Sequence, residues 1–479
     1  MSESTFQQFF KNPHFLKIME KYIPEEDKKK YKDVKNCSKL MFDTFPKKLT
    51  IVSRLDEVSV SALRKMTKIT KIDLGNCNDF LTVFLEIDSS EVNELKIEGA
   101  QTCDLNTLKN LKNLKYLHVK NNKVDLSFVL TMKNLESLVV ESKLEHPEVL
   151  KGCDLPNLKK LDLSGTKCKS LEFLESCKFP NLEELLLERN DIDNIDVLGK
   201  CSFPELKKIN LKKNDVEKID GLSGLNAPNL EEFNVWDNNV KNVSNLKDCK
   251  FGKLRILNLR DNQIDNINDL KSCNFPELRE IWLGENKIPS ISCLKECNFP
   301  HLNILYLSNN VISDMSNLME CRNFKELTWL YISGNQLANM DFLASSNFPK
   351  LTRLYLSLNK INNISSLKDC NFPELEHLSI FENEVTDISV LAQCKKLSKL
   401  IMLDIGANKF GDISVLKDCD FKFLVELRLD ANPNINLGVL DQCNFPQLKI
   451  VNIEEVNVND QTIIGNLEKK GITVEGKKK

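Results

Sequence analysis

Apolar positions along this chain recur as a phrase, not as helical stripes. From about residue 150 onward the phrase is LxxLxLxxNxI, as at Leu182, Leu185, Leu187, Asn190 and Ile192. The segment from Cys273 reads CNFPELREIWLGENKIPSISCLKE, and Cys297 opens the phrase again with CNFPHLNILYLSNNVISDMSNLME. Alternating leucines put their side chains on one face of a short strand, so each phrase predicts a strand with an inward apolar face and an outward variable one. A unit repeated at this period cannot bury its apolar face alone, whereas parallel neighbours stacked on it build one continuous core. First apolar positions at 69, 92, 114, 135, 158, 182, 206, 230, 254, 278, 302, 327, 351, 375, 400, 424 and 448 define seventeen units, the first four being 21 to 23 residues long.

Three further columns keep the same register. Asparagines at 190, 214, 238, 262, 286, 310, 335, 359, 383, 408 and 432 follow the strand. There a side-chain amide can satisfy turn backbone that would otherwise be buried unpaired. Phenylalanines such as Phe275, Phe299 and Phe348, most followed by proline, predict an internal spine, with the proline holding the preceding residue extended. Cysteines at 153, 177, 201, 249, 273, 297, 321, 370, 394, 419 and 443 make a column whose plainest reading is small, buried and apolar.

This pattern resembles the leucine-rich-repeat family, most closely the LxxLxLxxNxIxxIxxL variety of phosphatase-regulatory and internalin-like members. The resemblance implies an α/β fold: a leucine-rich-repeat solenoid (horseshoe) with a parallel concave sheet, a short helical N-terminal segment and a C-terminal cap. Cys77 takes the asparagine place in the first unit, a replacement the family accepts. The expected boundaries are a helical segment over 1–48, the solenoid over 49–459, and a cap with a basic tail over 460–479. In that cap, Asp460 is expected to N-cap a helix through Ile463, Ile464 and Leu467 ending at Gly471, and Ile472–Val474 to add an edge strand.

Composition then narrows the function classes. The 479 residues are 41% hydrophobic and 28% charged, which excludes a disordered chain. A formal net charge of -3 argues against broad attraction to nucleic acid or anionic membrane. Neither an apolar run near the ~20 residues of a bilayer span nor a cleavable signal pattern is evident. The 16 cysteines therefore read as reduced thiols in a cytoplasmic protein, with the nucleus also open. Only 16 glycines occur, so the turns are expected to rely on asparagine and proline. The five histidines stand in no metal-binding spacing, and neither a phosphate loop nor a nucleophile elbow is present. No cofactor, no metal and no enzymatic activity are expected. The sequons at Asn36, Asn242 and Asn363 read as chance matches.

The outward strand positions carry the functional expectation. One column, between the second and third leucines, runs Trp282, Tyr306, Tyr331, Tyr355 and then Ser379 and Asp404. The column before the second leucine offers Glu280, Ile304, Trp329, Arg353 and His377, and the column after the third offers Trp236, Arg260 and Phe381. All three tryptophans thus fall on expected exposed concave positions. Tryptophan and tyrosine dominate binding hot spots, so Trp236, Arg260, Trp282, Tyr306, Trp329, Tyr331, Arg353, Tyr355, His377 and Phe381 are the candidate partner-binding residues. Cross-strand aromatic packing is the alternative explanation of the same column. Mixed charges around it suit a protein or peptide ligand better than a nucleic acid.

Residues 1–48 carry eleven Lys or Arg against seven Asp or Glu. Their spacing of Ile23, Asp27, Tyr31, Val34, Cys37 and Phe42, followed by KKLTI, resembles the second half of an F-box, with Pro13 and Leu16 standing for its opening proline and leucine. That resemblance implies that Pro13, Leu16, Ile23 and Val34 form an adaptor-facing or internal helical surface for a Skp-family adaptor. The chain would then be the substrate receptor of a cullin-type ubiquitin ligase. A plain helical cap accounts for the same residues, leaving a phosphatase-regulatory or scaffolding protein, or an exported effector-type recognition protein.

Overall fold

A computed structural model describes residues 48–51, 70–74, 91–98, 105–120, 123–144, 146–321, 323–432, 435–458 and 462–477. Pro13, Leu16, Ile23, Val34, Cys77 and Asp460 lie outside the described residues. The chain divides into two units, Met1–Asn190 and Asp191–Lys479.

In the first unit, β1 (Lys48–Ile51), β2 (Lys71–Leu74), β3 (Glu94–Glu98), β4 (Tyr116–Lys120), β6 (Ser137–Val140), β8 (Lys160–Asp162) and β9 (Glu184–Leu186) pair in parallel in that order. The short strands β5 (Lys123–Val124) and β7 (Lys143–Leu144) pair separately. In the second unit the parallel order is β10 (Lys208–Asn210), β11 (Glu232–Asn234), β12 (Ile256–Asn258), β13 (Glu280–Trp282), β14 (Ile304–Tyr306), β15 (Trp329–Tyr331), β16 (Arg353–Tyr355), β17 (His377–Ser379), β18 (Met402–Asp404), β19 (Glu426–Arg428), β20 (Ile450–Asn452) and β21 (Thr473–Glu475). Every unit counted in the sequence has a strand starting two residues after its first apolar position. The fold is a leucine-rich-repeat solenoid built of such strands. Four strands were not counted as units: the short β5 and β7, β21, expected one residue earlier, and β1. The KKLTI segment that closes the F-box resemblance supplies β1, which pairs with β2.

The core follows the predicted columns. Leucines 278, 283, 302, 307, 327 and 351 are fully buried, as are Phe275, Phe299, Phe324 and Phe348. The described column cysteines are free, and all but Cys177 and Cys443 are buried. Burial pushes the thiols of Cys249, Cys273 and Cys321 up to about 12. Asn286 shows how the inner turn is held. Its Nδ2 donates to the carbonyls of Leu259, Leu283 and Gly284 at 3.0–3.1 Å, and its Oδ1 accepts the Ile264 N–H at 2.9 Å. One side chain thereby satisfies backbone of two successive units.

The turn chemistry follows the asparagine column. The left-handed residue is the one before the asparagine, and it is seldom glycine: Lys213, Asp237, Asp261, Glu285, Asn309, Leu358, Glu382, Ala407 and Ala431 have φ between 49° and 59°. Such a conformation costs about 1 kcal/mol or more in a non-glycine residue and persists only where surrounding bonds fix it. The asparagine hydrogen bonds do so here. Among the described residues, 3-10 turns from Leu105–Asn110 to Leu437–Gln442 follow the strands of successive units. Asn242 and Asn363 accept the backbone N–H of Ser244 and Ser365 at 2.7 and 2.8 Å, and Asp314, Asp387 and Asp412 do the same for Ser316, Ser389 and Ser414. The N-x-S sequons at 242 and 363 are therefore variants of a turn-starting Asp/Asn-x-Ser device. Among the described residues there is one α-helix, α1 (Thr462–Lys469), stopped at Gly471 with φ 82°.

Candidate functional site

The ten candidate residues of the strand face all lie in the second unit, and all are half-buried. They had been expected to stand exposed. The physical reason for the difference is that they stack on one another. Adjacent parallel strands lie ~4.8 Å apart, and aligned side chains inherit that spacing. The ring centroids of Trp282 and Tyr306 are 5.2 Å apart, those of Tyr306 and Tyr331 5.2 Å, and those of Tyr331 and Tyr355 4.9 Å. The last pair is parallel to within 2°. Trp329 meets Tyr331 edge-on at 6.3 Å.

Cations extend the ladder toward lower residue numbers. Lys212 Nζ stands 4.0 Å above Trp236, and the Arg260 guanidinium is 5.0 Å from Trp236 and 5.3 Å from Tyr306. Arg260 also donates to both Glu285 oxygens at 2.7 and 3.2 Å, a bond that raises its pKa. Among the described residues no acceptor meets the buried Trp236 Nε1–H, while Trp282 Nε1–H donates to Glu280 at 3.0 Å. Cross-strand packing, the alternative explanation, does occur, and the packed rings remain half-buried.

Beside the rings runs a row of small residues that the leucine and aromatic columns alone did not announce. Gly284, Ser308, Ser333 and Ser357 occupy the next outward column of the same four units. A Cβ on Gly284 would sit 2.2 Å from a Tyr306 ring carbon, so the absent side chain makes room for the ring. Coincidence of small residues with the aromatic column was the signal available in the sequence.

Beyond Tyr355 the character changes. Ser379 and Asp404 are buried, and Ser379 Oγ–H donates to Asp404 Oδ2 at 2.8 Å. The Gly406 N–H donates to Asp404 Oδ1 at 3.3 Å. Burial is the main cause holding the Asp404 carboxyl above the usual aspartate range. On the other flank, Arg353 stacks 4.5 Å above Trp329. Burial, then the Arg353 charge, hold His377 below the usual histidine range. Phe381 stands on the rung after Tyr355. Among the described residues no three His, Cys, Asp or Glu side chains group so as to hold a metal ion. No helix of the described residues is long and apolar enough to cross a membrane.

Fold and repeat chemistry together define a leucine-rich-repeat protein with an aromatic strand face. Solved structures bear on the class. A leucine-rich-repeat protein of Leptospira interrogans aligns with a TM-score of 0.61 at 20% identity, covering 87% of this chain and 98% of that one. A TDR receptor aligns at 0.56 and 17% identity, over 86% and 72% of the two chains. The plant peptide hormone receptor RGFR1, in complex with RGF2, aligns at 0.55 and 16% identity, over 77% and 64%. Identities this low establish the fold alone. No protein-family model matches the chain, and no curated protein matches it in sequence.

Proposed function

We propose that this protein is a non-enzymatic recognition protein that holds a protein or peptide ligand against the strand face around Trp282, Tyr306, Tyr331 and Tyr355. The observation that carries the reading is the gathering of all three tryptophans, three of six tyrosines and two stacked arginines on one face of one unit. Rigid, pre-stacked rings present contact area at little further entropic cost, which is why such residues anchor interfaces. The leucine-rich-repeat fold suggests protein–protein recognition, and the structural neighbour RGFR1 was solved with RGF2 bound. Affinity purification of the full chain beside its Trp282→Ala and Tyr331→Ala variants tests it. Partners recovered with the parent chain should fall away with both variants, each losing ~2 kcal/mol or more of binding. Unchanged recovery with folded variants would move the binding surface elsewhere.

A finer reading rests on the F-box-like residues 13–48: a cytoplasmic substrate receptor of a cullin-type ubiquitin ligase, held by a Skp-family adaptor through Pro13, Leu16, Ile23 and Val34. Retention of a Skp-family adaptor by the full chain, lost on Ile23→Asp or Val34→Asp, is the expected result. Failure to retain the adaptor leaves the scaffolding, phosphatase-regulatory and exported-effector readings. Free column cysteines support a reducing compartment. Thiols found mostly blocked in the protein isolated from its source would argue for export.

A further inference from the structure

The strand face carries three arginines in its three outward columns, and they are not equivalent. Arg260 is closed by Glu285 and Arg428 donates to Glu426 at 2.6 Å. Arg353 has no carboxylate partner among the described residues, although it is half-buried and held on the Trp329 face. A guanidinium fixed by stacking keeps its N–H fork in one plane and ready for a bidentate acceptor. Half-buried without an anion, it has given up hydration with no ion pair to offset the loss.

The same rung holds a second unsatisfied feature. Leu358 is 47% exposed and has φ 57°. In the other units of this region that left-handed place is taken by charged, small or amide residues such as Asp261, Glu285, Asn309 and Ala407. A bulky apolar residue gains nothing from water there and bears the conformational cost regardless. The Leu358 N–H donates to the Phe381 carbonyl at 2.8 Å, so Leu358 and half-buried Phe381 sit on neighbouring rungs. Between them the ring column ends: Tyr331 covers one face of Tyr355, while the next residue in register is Ser379, which is small and 2% exposed.

We propose that the rung from Arg353 to Leu358 is the anchoring subsite of the strand face, and that the segment it takes carries a carboxylate side chain beside an apolar or aromatic one. The carboxylate accepts the Arg353 fork. The apolar side chain packs against exposed Leu358 and half-buried Phe381. A single-charge carboxylate matches the one cation of this rung, the Arg353 guanidinium, better than a phosphate dianion does. The assignment rests on the strand face being the recognition surface, and the experiment separates the two.

The full chain is panned against a random peptide library displayed on phage. Affinities of enriched peptides are then measured by fluorescence anisotropy for the parent, Arg353→Gln, Arg353→Lys, Arg428→Gln and Trp282→Ala proteins, each checked for folding by circular dichroism. The expected result is enrichment of Asp or Glu next to an apolar or aromatic residue. Arg353→Gln should weaken those peptides about tenfold or more, and Arg428→Gln by less than about twofold. Arg353→Lys keeps the charge and an aliphatic stem on Trp329, so it should fall between parent and Arg353→Gln. Peptides without acidic residues, or Lys and Gln variants binding alike, overturn the subsite. Peptides weakened by Trp282→Ala and not by Arg353→Gln overturn it while leaving the strand-face reading in place. Peptides indifferent to both, or no enrichment, overturn both.

Discussion

The outward strand faces of the two units are built from opposite chemistry. In the unit ending at Asn190, ion pairs lace the face, Lys71 with Glu94 at 2.6 Å and Lys96 with Glu98 at 2.7 Å, and continue just before the strands, where Lys115 and Lys159 reach Glu136 at 2.9 and 3.1 Å. In the unit beginning at Asp191, aromatic rings and stacked cations occupy the equivalent columns. Exposed ion pairs contribute little to stability and stay hydrated, so they make a poor adhesive surface. Half-buried rings already ordered by their neighbours make a good one. The inner turns differ in parallel: Thr166 fills the asparagine place with hydroxyl bonds to Leu163 and Asn190, whereas Asn286 makes four backbone bonds. Both faces use the same strand geometry, so the difference in role arises from side chains alone.

The largest test of this contrast concerns the inner turns. Asn286→Ala leaves several buried backbone groups unpaired and should cost about 3 kcal/mol or more, against about 1–2 kcal/mol for Thr166→Ala, measured by urea denaturation. Equal losses would mean that the two turns are held alike. Next come the rings. Tyr331→Ala removes two stacking partners and should destabilise by roughly 1–3 kcal/mol in addition to weakening ligand binding. Tyr116→Ala in the first unit, where the side chain is 44% exposed, should change stability by less than about 0.5 kcal/mol. A ladder that served only for binding would leave the Tyr331→Ala melting curve unmoved.

A smaller effect is expected at Asp404. Its carboxyl is raised on folding, chiefly by burial, so the folded chain holds the proton more tightly than the unfolded one. The ionised form therefore opposes folding at neutral pH, and that opposition fades as the pH falls through the raised value toward the ordinary aspartate value of about 3.9. Asp404→Asn should raise the melting temperature at pH 7 and lose its advantage in acid; an advantage that grows in acid would reverse the assignment. Smallest is the charged face: Lys115→Met, at a fully exposed lysine, should leave the thermal midpoint unchanged at high and low salt.

Much of this architecture can be read from residues. Leucine spacing places the strands to the residue, because a period-two pattern tolerates no slip. The asparagine and phenylalanine columns announce their burial by recurring in register. The strand β1 escapes the count, since the residues after Lys48–Ile51 do not continue the leucine and asparagine phrase. Left-handed turn residues are also hidden, because position rather than residue type imposes their φ. At the site, the sequence locates the rings but not how they face. Column membership says that Trp282 and Tyr306 are neighbours; only the vacancy at Gly284 shows where the Tyr306 ring finds room. The contrast between a closed Arg260 and an open Arg353 depends on where single carboxylates reach, which no repeat pattern encodes.

The ring ladder is also a ruler. Its divisions, 4.9 to 5.2 Å, are fixed by strand pairing and cannot be adjusted by side-chain choice. A peptide laid across the strands advances about 3.3 Å per residue when extended, and about 3.1 Å with three residues per turn in a polyproline II helix. Three residues of either form therefore span nearly two divisions. A polyproline II ligand running along the ladder returns to the same phase at every third residue, so a side chain placed to meet one ring meets the next but one on its second appearance. Spacing, as much as chemistry, is then what this surface measures.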